Sequence, residues 1–271
     1  MHINHGLQAQ AAIFEAHCRQ WCAQKNIPFS VAKGIVVCEL GASVEEQARL
    51  FRYQELAAQA HQVHAQAVLL AQHADDQAET FLLALTRGAG LSGLSGMGAV
   101  SMKHGVVFGR PWLEIRQSVL REWVSHAGWP FIDDPSNSDT RYTRNKIRHE
   151  LFPKMEYLFP SFVAATLRSA RHCAQADVLL HELAQEDLSK LINEEGHPLL
   201  CRLQGLATAR LALVLRLWLK KTAGRTPSTA QLDELCKQVF AARTRGHRIR
   251  LKVVDGHVLL EKGYLVFKRT L

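Results

Sequence analysis

No stretch of this sequence reaches 18 consecutive apolar residues, which excludes a membrane-spanning helix. The opening MHINHGLQAQ lacks the basic-then-apolar plan of a secretory leader. There is no internal repeat and no low-complexity tract. The six cysteines, at 18, 22, 38, 173, 201 and 236, show no paired metal-ligand spacing. Cys18 and Cys22 stand one helical turn apart. That spacing suits a metal ion or, the commoner case on an amphipathic helix, two buried apolar groups. Scattered thiols of this kind fit reduced cysteines in a cytoplasmic protein. What is present is a globular composition: 271 residues, 47% hydrophobic and 21% charged, with room for a real core and for two small domains. A net charge of +8 and a pI near 9.3 are compatible with a nucleic-acid partner, because neutralising phosphates drives such binding. The runs RYTRNKIRHE (141–150) and RTRGHRIRLK (243–252) concentrate that charge. Each reads as a solvated face or as a phosphate-binding one.

The first 110 residues alternate between helical and strand-like patterns. Ile13, Phe14, Cys18, Trp21 and Cys22 recur at helical spacing within 7–26. IPFSVAKGIVV (27–37) is β-branched and reads as a strand. Ser43, with Glu46 three residues on, forms a capping box that opens a helix over 43–61. AQAVLLAQ (65–72) is short and apolar, the pattern of a parallel strand covered on both faces. ADDQAETFLLALTRG (74–88) predicts a helix ended by Gly88, and GVVFGRPWL (105–113) another strand. The alternation implies a parallel sheet with helices on its faces, where ligands sit at the carboxyl ends of strands. From about 116 it stops. RQSVLREWVSHAG reads as helix, FIDDPSNSDTRYT as turns opened by Asp133-Asp134 before Pro135, and 142–195 as mainly helical. Two helices follow in 205–241, the second capped by Ser228, and then a hairpin around Asp255-Gly256. Trp21, Trp123 and Trp218 fall in helical apolar patterns and are expected in cores, while histidines 17, 61, 64, 104, 126, 172, 181, 197 and 257 match no motif.

AQHADDQAET (71–80) places an imidazole and three carboxylates where the second strand ends. Two readings stand side by side. Asp75 and Asp76 occupy the first turn of a helix, where exposed amides and the dipole favour acids, with Glu79 on the face of Asp75. Alternatively, Asp75 or Asp76, with Glu79, binds a magnesium–nucleotide complex, since magnesium takes one or two carboxylates plus phosphate and water.

Five segments in order resemble the tRNA(Ile)-lysidine synthetases of the ATP pyrophosphatase (PP-loop) superfamily. They are HINHGL (2–7), ARLFRY (48–53), AQHADDQAETFLLALTRGAGLSGLSGM (71–97), RPWL (110–113) and DDPSNSDTRYTRNKIR (133–148). The resemblance implies an α/β fold in three parts: an incomplete parallel-sheet nucleotide-binding domain of the adenine nucleotide α hydrolase type over 1–115, a helical tRNA and substrate region over 116–200, and a small α+β module over 201–271. It implies an enzyme that adenylates the C2 oxygen of the wobble cytidine of tRNA(Ile) with a CAU anticodon. The ε-amine of L-lysine then displaces AMP, giving lysidine. ATP and Mg²⁺ are the implied cofactors, tRNA(Ile) and L-lysine the partners, and a homodimer a further candidate. Site residues follow by the same resemblance. His73, Asp76, Glu79 and Arg87 would be catalytic, and Asn4, His5, Arg49 and Arg52 would bind the nucleotide. Asp75 and Asp76 would hold Mg²⁺, and Asn137, Arg144, Asn145 and Arg148 would engage tRNA or lysine. Arg49 and Arg52, three apart, and Arg144 and Arg148, one turn apart, can each face a polyanion.

The family's SGGxDS loop, which holds ATP phosphates at a helix N-terminus, occurs nowhere in the 271 residues. By the resemblance it belongs upstream of HINHG, together with a strand and a helix. The expectation is therefore an N-terminally truncated chain, inactive by itself, whose sheet exposes apolar edges. The alternatives are a non-catalytic tRNA-binding remnant and a related ATP-dependent tRNA-thiolating enzyme. No cysteine falls in the matched motifs, which disfavours the last.

Overall fold

The structure is a computed structural model that describes residues 1–4, 11–34, 44–242 and 248–270, the side chains of 44–46 excepted. His5, Ser43, Cys38 and residues 243–247 lie outside the described residues, and so do the Ser43–Glu46 capping box and part of the second basic run. Two compact units form, Met1–Cys173 and Ala174–Leu271. The first begins β1 (His2–Asn4), α1 (Ala11–Gln24), β2 (Val31–Lys33), α2 (Val44–Gln62), β3 (Ala67–Leu69). It continues α3 (Ala74–Thr86), α4 (Leu91–Leu94), β4 (Val100–Lys103), β5 (Val106–Gly109), α5 (Gln117–His126). A 3₁₀ turn at Pro135–Ser138 precedes α6 (Thr143–Lys146), a π-helical turn at Ile147–Leu151, α7 (Phe152–Leu158) and α8 (Phe162–Leu191). The part of α8 from Ala174 onward belongs to the second unit.

β1 pairs parallel with β2, and β3 pairs parallel with β5, setting Val68 opposite Phe108. This is the expected βα alternation. β4, unforeseen, joins β5 antiparallel through a two-residue turn, His104 at φ 50° and Gly105 at φ 74°. Both central residues are left-handed, as a type I′ hairpin requires, with histidine where asparagine is usual.

The strand at 65–72 departs from expectation. Val68 and Leu70 pack with Tyr53, Ala57, Ala60, Val106 and Phe108 in one core cluster. Leu69 points away and is 71% exposed. Small side chains let α2 lie close on one face of β3 and β5. Among the described residues nothing covers the other.

Downstream, α3 ends at Arg87, and Gly88 takes a left-handed φ of 67°, as its position predicts. Gln77 pins the glycine-rich turn that follows, donating to the Met97 carbonyl (2.9 Å) and accepting from the Met97 amide (2.7 Å). Trp123 is not in a core: it is 54% exposed on α5, a helix with no buried residue. It meets Trp129 edge-on at 4.7 Å, and Trp129 meets Trp21 at 5.5 Å. The apolar stripe of α5 thus forms a surface cluster, since periodicity gives a stripe and not its cover. Cys18 and Cys22 are half-buried, as the apolar reading of the pair has it, and burial pushes the Cys18 thiol up.

The second unit adds α9 (Leu200–Leu203), α10 (Thr208–Ala223), α11 (Thr229–Ala241), β6 (Arg250–Val253), β7 (Gly256–Glu261) and β8 (Tyr264–Arg269) to the end of α8. Leu211, Leu215, Trp218, Leu232, Leu235, Val258 and Leu265 fill its core. Ser228 and Gln231 form a reciprocal capping box at the start of α11. In the antiparallel meander β6–β7–β8, Ile249 and Val253 are buried while Arg248, Arg250 and Lys252 are exposed, so the described part of the second basic run lies on the outer face.

The first hairpin is shifted from the expected Asp255-Gly256. Val253 pairs with Gly256, so the turn residues are Val254, at φ 56°, and Asp255. Gly256 is glycine for another reason: a Cβ there would lie 2.3 Å from the Lys268 carbonyl and 2.6 Å from the Phe267 ring. Gly256→Ala should therefore force β7 from β8 and cost about 1–3 kcal/mol. Denaturant unfolding followed by circular dichroism checks it, and an unchanged midpoint would show that the strands absorb the methyl group.

Candidate active site

The carboxyl end of β3 leads directly into α3, and the acidic stretch sits at that junction. His73 is the N-cap residue of α3, in an extended conformation. Its Nδ1 accepts from the Asp76 amide (3.4 Å), and Asp76 Oδ2 accepts from the His73 amide (3.1 Å). This reciprocal pair is a capping box with histidine in place of serine. Because Nδ1 accepts, the ring proton sits on Nε2, which faces Asp76 Oδ2 at 3.4 Å. The capping reading of the acidic turn therefore holds for Asp76.

Asp75 turns the other way. Its oxygens accept from Arg116 Nε (2.9 Å) and from the Gln117 amide at the start of α5 (2.7 Å). Arg116 also reaches Glu156 on α7 (2.6 Å). Burial works against the Arg116 charge, but Asp75 and Glu156 more than offset it and push its pKa up. Asp75 thus anchors α5 and has no open side for a metal.

Glu79 is wholly buried. It accepts from Arg144 Nε (2.6 Å) on one oxygen and from Arg148 Nε (2.7 Å) on the other. Arg148 also donates to Asp76 Oδ1 (3.2 Å), and Arg144 to Thr80 Oγ1 (3.2 Å). Burial opposes the Arg148 charge. Glu79, then Asp76 and Asp75, overcome it and raise its pKa, so the guanidinium stays charged. The one-turn spacing of Arg144 and Arg148 does put both on one side of a helix, and that side faces Glu79. Ala74 and Ala78 of α3 pack beside these ion pairs against Ile147, Phe152, Phe162 and Val163. The π-helical turn lies here, just before Pro153, which has no amide to continue the regular ladder.

The loop at 134–139 is tied to the same segment. Asp134 Oδ1 accepts from the Ser136 amide (2.8 Å), the turn expected of an aspartate before proline. Asn145, buried, donates from Nδ2 to the carbonyls of Ser136 (2.8 Å) and Asp139 (2.9 Å). Its amide orders the loop, where the sequence had suggested a ligand contact. Asn137 is exposed and gives its carbonyl to His149 Nε2 (2.7 Å).

The structure thus brings His73, Asp75, Asp76, Glu79, Arg144 and Arg148 together. It leaves Arg87 apart: exposed at the far end of α3, it is eleven residues from Asp76, about 16 Å along the helix. Asn4 ends β1 and hydrogen-bonds Glu15, which also takes Arg19 (3.0 Å) and Lys33 (3.5 Å). Arg49 and Arg52 line a cavity of about 340 Å³ with Tyr53, Leu70, Gln72 and Arg144. Arg116, Glu156, Tyr53, Gln72 and Arg110 were assigned no role from sequence. Tyr53, Gln72 and Arg110 stand inside matched motifs, but nothing local shows what they touch.

Magnesium does not find a protein cage here. No group of three or more His, Cys, Asp or Glu among the described residues is placed to hold a metal. Asp75 and Glu79 are saturated by guanidinium and amide donors, which leaves Asp76 as the carboxylate with lone pairs to share.

The PP-loop domain family matches residues 1–155, and the TilS substrate binding domain family matches residues 200–266. A tRNA(Ile)-lysidine synthase from Polaromonas naphthalenivorans is 48% identical over 266 residues, 98% of this chain and 80% of that protein. The chain belongs to the tRNA(Ile)-lysidine synthase family. That is an ATP-using ligase family built on a PP-loop domain. The synthase of Ralstonia nicotianae is 39% identical over 91% of this chain, which spans 53% of that relative. Among solved structures, a U34-tRNA thiolase from Methanococcus maripaludis superimposes with a TM-score of 0.52 over 63% of this chain and 60% of its own, at 13% identity. That likeness shows the fold. No helix among the described residues is long and apolar enough to cross a membrane.

The Glu79 ion pairs generate a prediction. Removing one partner of a buried pair leaves uncompensated charge and costs ~3–5 kcal/mol. Glu79→Gln, which strands two guanidinium groups, should lower the melting temperature more than Arg144→Gln, whose side chain is 30% exposed. The double change Arg144→Gln/Arg148→Gln should destabilise the first unit yet leave the slope of log affinity for tRNA against log salt where it was. A slope flattened by about two units would instead place both arginines on phosphates.

Proposed function

We propose that this chain serves lysidine formation in company with a phosphate-holding SGGxDS loop, which its 271 residues do not contain: ATP adenylates the C2 oxygen of the wobble cytidine of tRNA(Ile), and the lysine ε-amine then displaces AMP. The observation that carries the proposal is the ordered match of both family domains together with 48% identity, over 98% of this chain, to a named synthase. Because the chain spans only about half of relatives such as that of Ralstonia, the activity is tested on the chain itself.

The geometry suits the two steps. In the first, the cytidine oxygen attacks the α-phosphorus and pyrophosphate leaves. In the second, nitrogen bonds to C2, AMP leaves with the oxygen, and the amine gives up its protons. Both require developing charge to be met by fixed groups in a site with little water. His73 and Asp76, at the open end of α3, are the groups we place beside the reacting atoms. The Nε2–H of His73, held by the cap, is a donor for phosphate oxygen. Glu79 acts through Arg144 and Arg148, which it positions. Arg49 and Arg52 line the adjoining cavity, where nucleotide phosphates gain from positive charge. Asn4, at the end of β1, is placed near the nucleotide. Asn137 and His149 shape the loop that would meet the anticodon. Magnesium, when it arrives with ATP, would neutralise phosphate charge. Among the described residues Asp76 is the carboxylate suited to contact it. We place the reaction in the cytoplasm, where tRNA, ATP and reduced thiols coexist.

The test is transfer of labelled lysine to unmodified tRNA(Ile) bearing CAU, with ATP. It is run with the 271 residues as they stand and with an SGGxDS-bearing segment joined ahead of Met1. Transfer in the second arm is expected, and Asp76→Asn should slow it roughly ten- to a thousand-fold. Folded protein that binds the tRNA but transfers no lysine in either arm would overturn the reading, leaving a tRNA-binding module without chemistry.

A further inference from the structure

Arg110 follows β5 and is buried, 6% exposed. Its guanidinium donates through Nε to Gln72 Oε1 (2.5 Å), through one terminal nitrogen to the Gly98 carbonyl (2.8 Å) and Ser101 Oγ (3.1 Å), and through the other to Tyr53 Oη (2.9 Å). All four partners are neutral. A buried cation without a carboxylate is costly, and arginine stays charged wherever it is placed.

The donors-only chemistry of arginine fixes what its partners can do on their other side. Gln72 must give its oxygen to Arg110, which leaves the Nε2 amide with two hydrogens to donate elsewhere. Tyr53 must give a lone pair, which leaves its hydroxyl hydrogen free to point away. Both residues line the cavity beside the end of β3, with Arg49, Arg52 and Arg144. Among the described residues no carboxylate lines it. Arg144 carries its own counter-charge in Glu79. Arg49 is exposed at the rim. Leu56 and Leu70 supply apolar wall. Tyr53 is held rigidly: its ring meets Phe108 edge-on at 5.0 Å, and Lys103 Nζ sits 3.9 Å from the ring centroid.

We propose that this cavity is an oxyanion site, in which Arg110 is a positioning residue that turns the Gln72 amide and the Tyr53 hydroxyl into donors toward a phosphate or carboxylate, with Arg49 closing the rim. An acceptor-rich ligand satisfies both free donors and supplies the negative charge that Arg110 lacks. A neutral acceptor can take the donors but brings no charge. Phosphate or pyrophosphate and the carboxylate of an amino acid share this chemistry. The site lies one residue from His73, so either ligand is held next to the junction of β3 and α3.

The inference extends the ligase reading only in placing an anion beside His73, and its test needs neither tRNA nor turnover. Calorimetric titration of the chain with sodium pyrophosphate, inorganic phosphate, L-lysine and acetate reads the ligand class directly. Tighter binding of the first two marks a phosphate site, and tighter binding of the last two a carboxylate site. Tyr53→Phe keeps the ring and removes the donor. It should weaken the preferred anion ten- to a hundred-fold, as expected for a lost hydrogen bond to a charged acceptor. Arg49→Gln, at an exposed position, should weaken it at least ten-fold with an unchanged melting temperature.

Gln72→Glu separates positioning from mere structure. A carboxylate at 72 gives Arg110 its missing counter-ion, so the melting temperature should hold or rise while anion affinity falls ten-fold or more. A purely structural role would move both together. The inference is overturned if no anion binds, or if binding survives Tyr53→Phe, Arg49→Gln and Gln72→Glu unchanged. Loss of lysine transfer with intact anion binding would count against the ligase reading alone.

Discussion

A wholly buried carboxylate cannot stand alone, and the first unit is organised around the one at Glu79. Its two oxygens take Arg144 and Arg148, which ties α3 to a segment 65 to 69 residues further along. The apolar contacts of Ala74 and Ala78 with Ile147, Phe152 and Phe162 form around those ion pairs. Neither set would hold its geometry without the other. Apolar packing gives no direction to a guanidinium, and charges this poorly hydrated need packing that excludes water without leaving them unpaired. Asn145 extends the constraint to the loop at 134–139, and Asp75 extends it through Arg116 to α5 and α7.

The electrostatic pattern around the end of β3 is divided. On the α3 side, every carboxylate meets a guanidinium, and the charges close on themselves. On the α2 side, Arg49 and Arg52 line a cavity in which no carboxylate stands among the described lining residues, and Arg110 is buried behind its Tyr53 and Gln72. A ligand carrying negative charge is therefore drawn to one side of His73 and finds a rigid, neutralised wall on the other. That asymmetry comes from which helix donates its acids and which its bases.

Features encoded within a few residues were legible from sequence. The helix cap at Ser228, the helix stop at Gly88, the Asp134 turn and the βα alternation each rest on local chemistry, and each is found. The resemblance pointed to His73, Asp76 and Glu79 as one group and to Arg144 and Arg148 as another, and the structure joins the two. What they do to one another was not legible, because their partners stand tens of residues away. A basic residue on a helix face reads the same whether it meets a phosphate or a buried glutamate. β4 was missed because His104 replaces the usual asparagine of a tight turn. Arg87 belonged to a matched motif, yet helix length alone carries it away from the cluster. Leu69 and Trp123 show the remaining gap: an apolar residue in a regular pattern announces a face, while its cover depends on elements elsewhere in the chain.

The five tryptophans are unevenly shared, and this gives the two units different optical signatures. Trp218 is the only one in the second unit, 2% exposed, with its indole nitrogen donating to the Gly196 carbonyl (3.1 Å). Trp112, Trp123 and Trp129 of the first unit are all more than a third exposed, with Lys25 poised 5.0 Å from the Trp21 ring. An indole in an apolar interior emits at shorter wavelength than one in water, and a neighbouring ammonium or a stacked ring alters its yield. The blue edge of the emission spectrum therefore reports on the packing of α10, and the red edge on the surface formed by α1 and α5. One chain carries, without labelling, a separate colour for each of its halves.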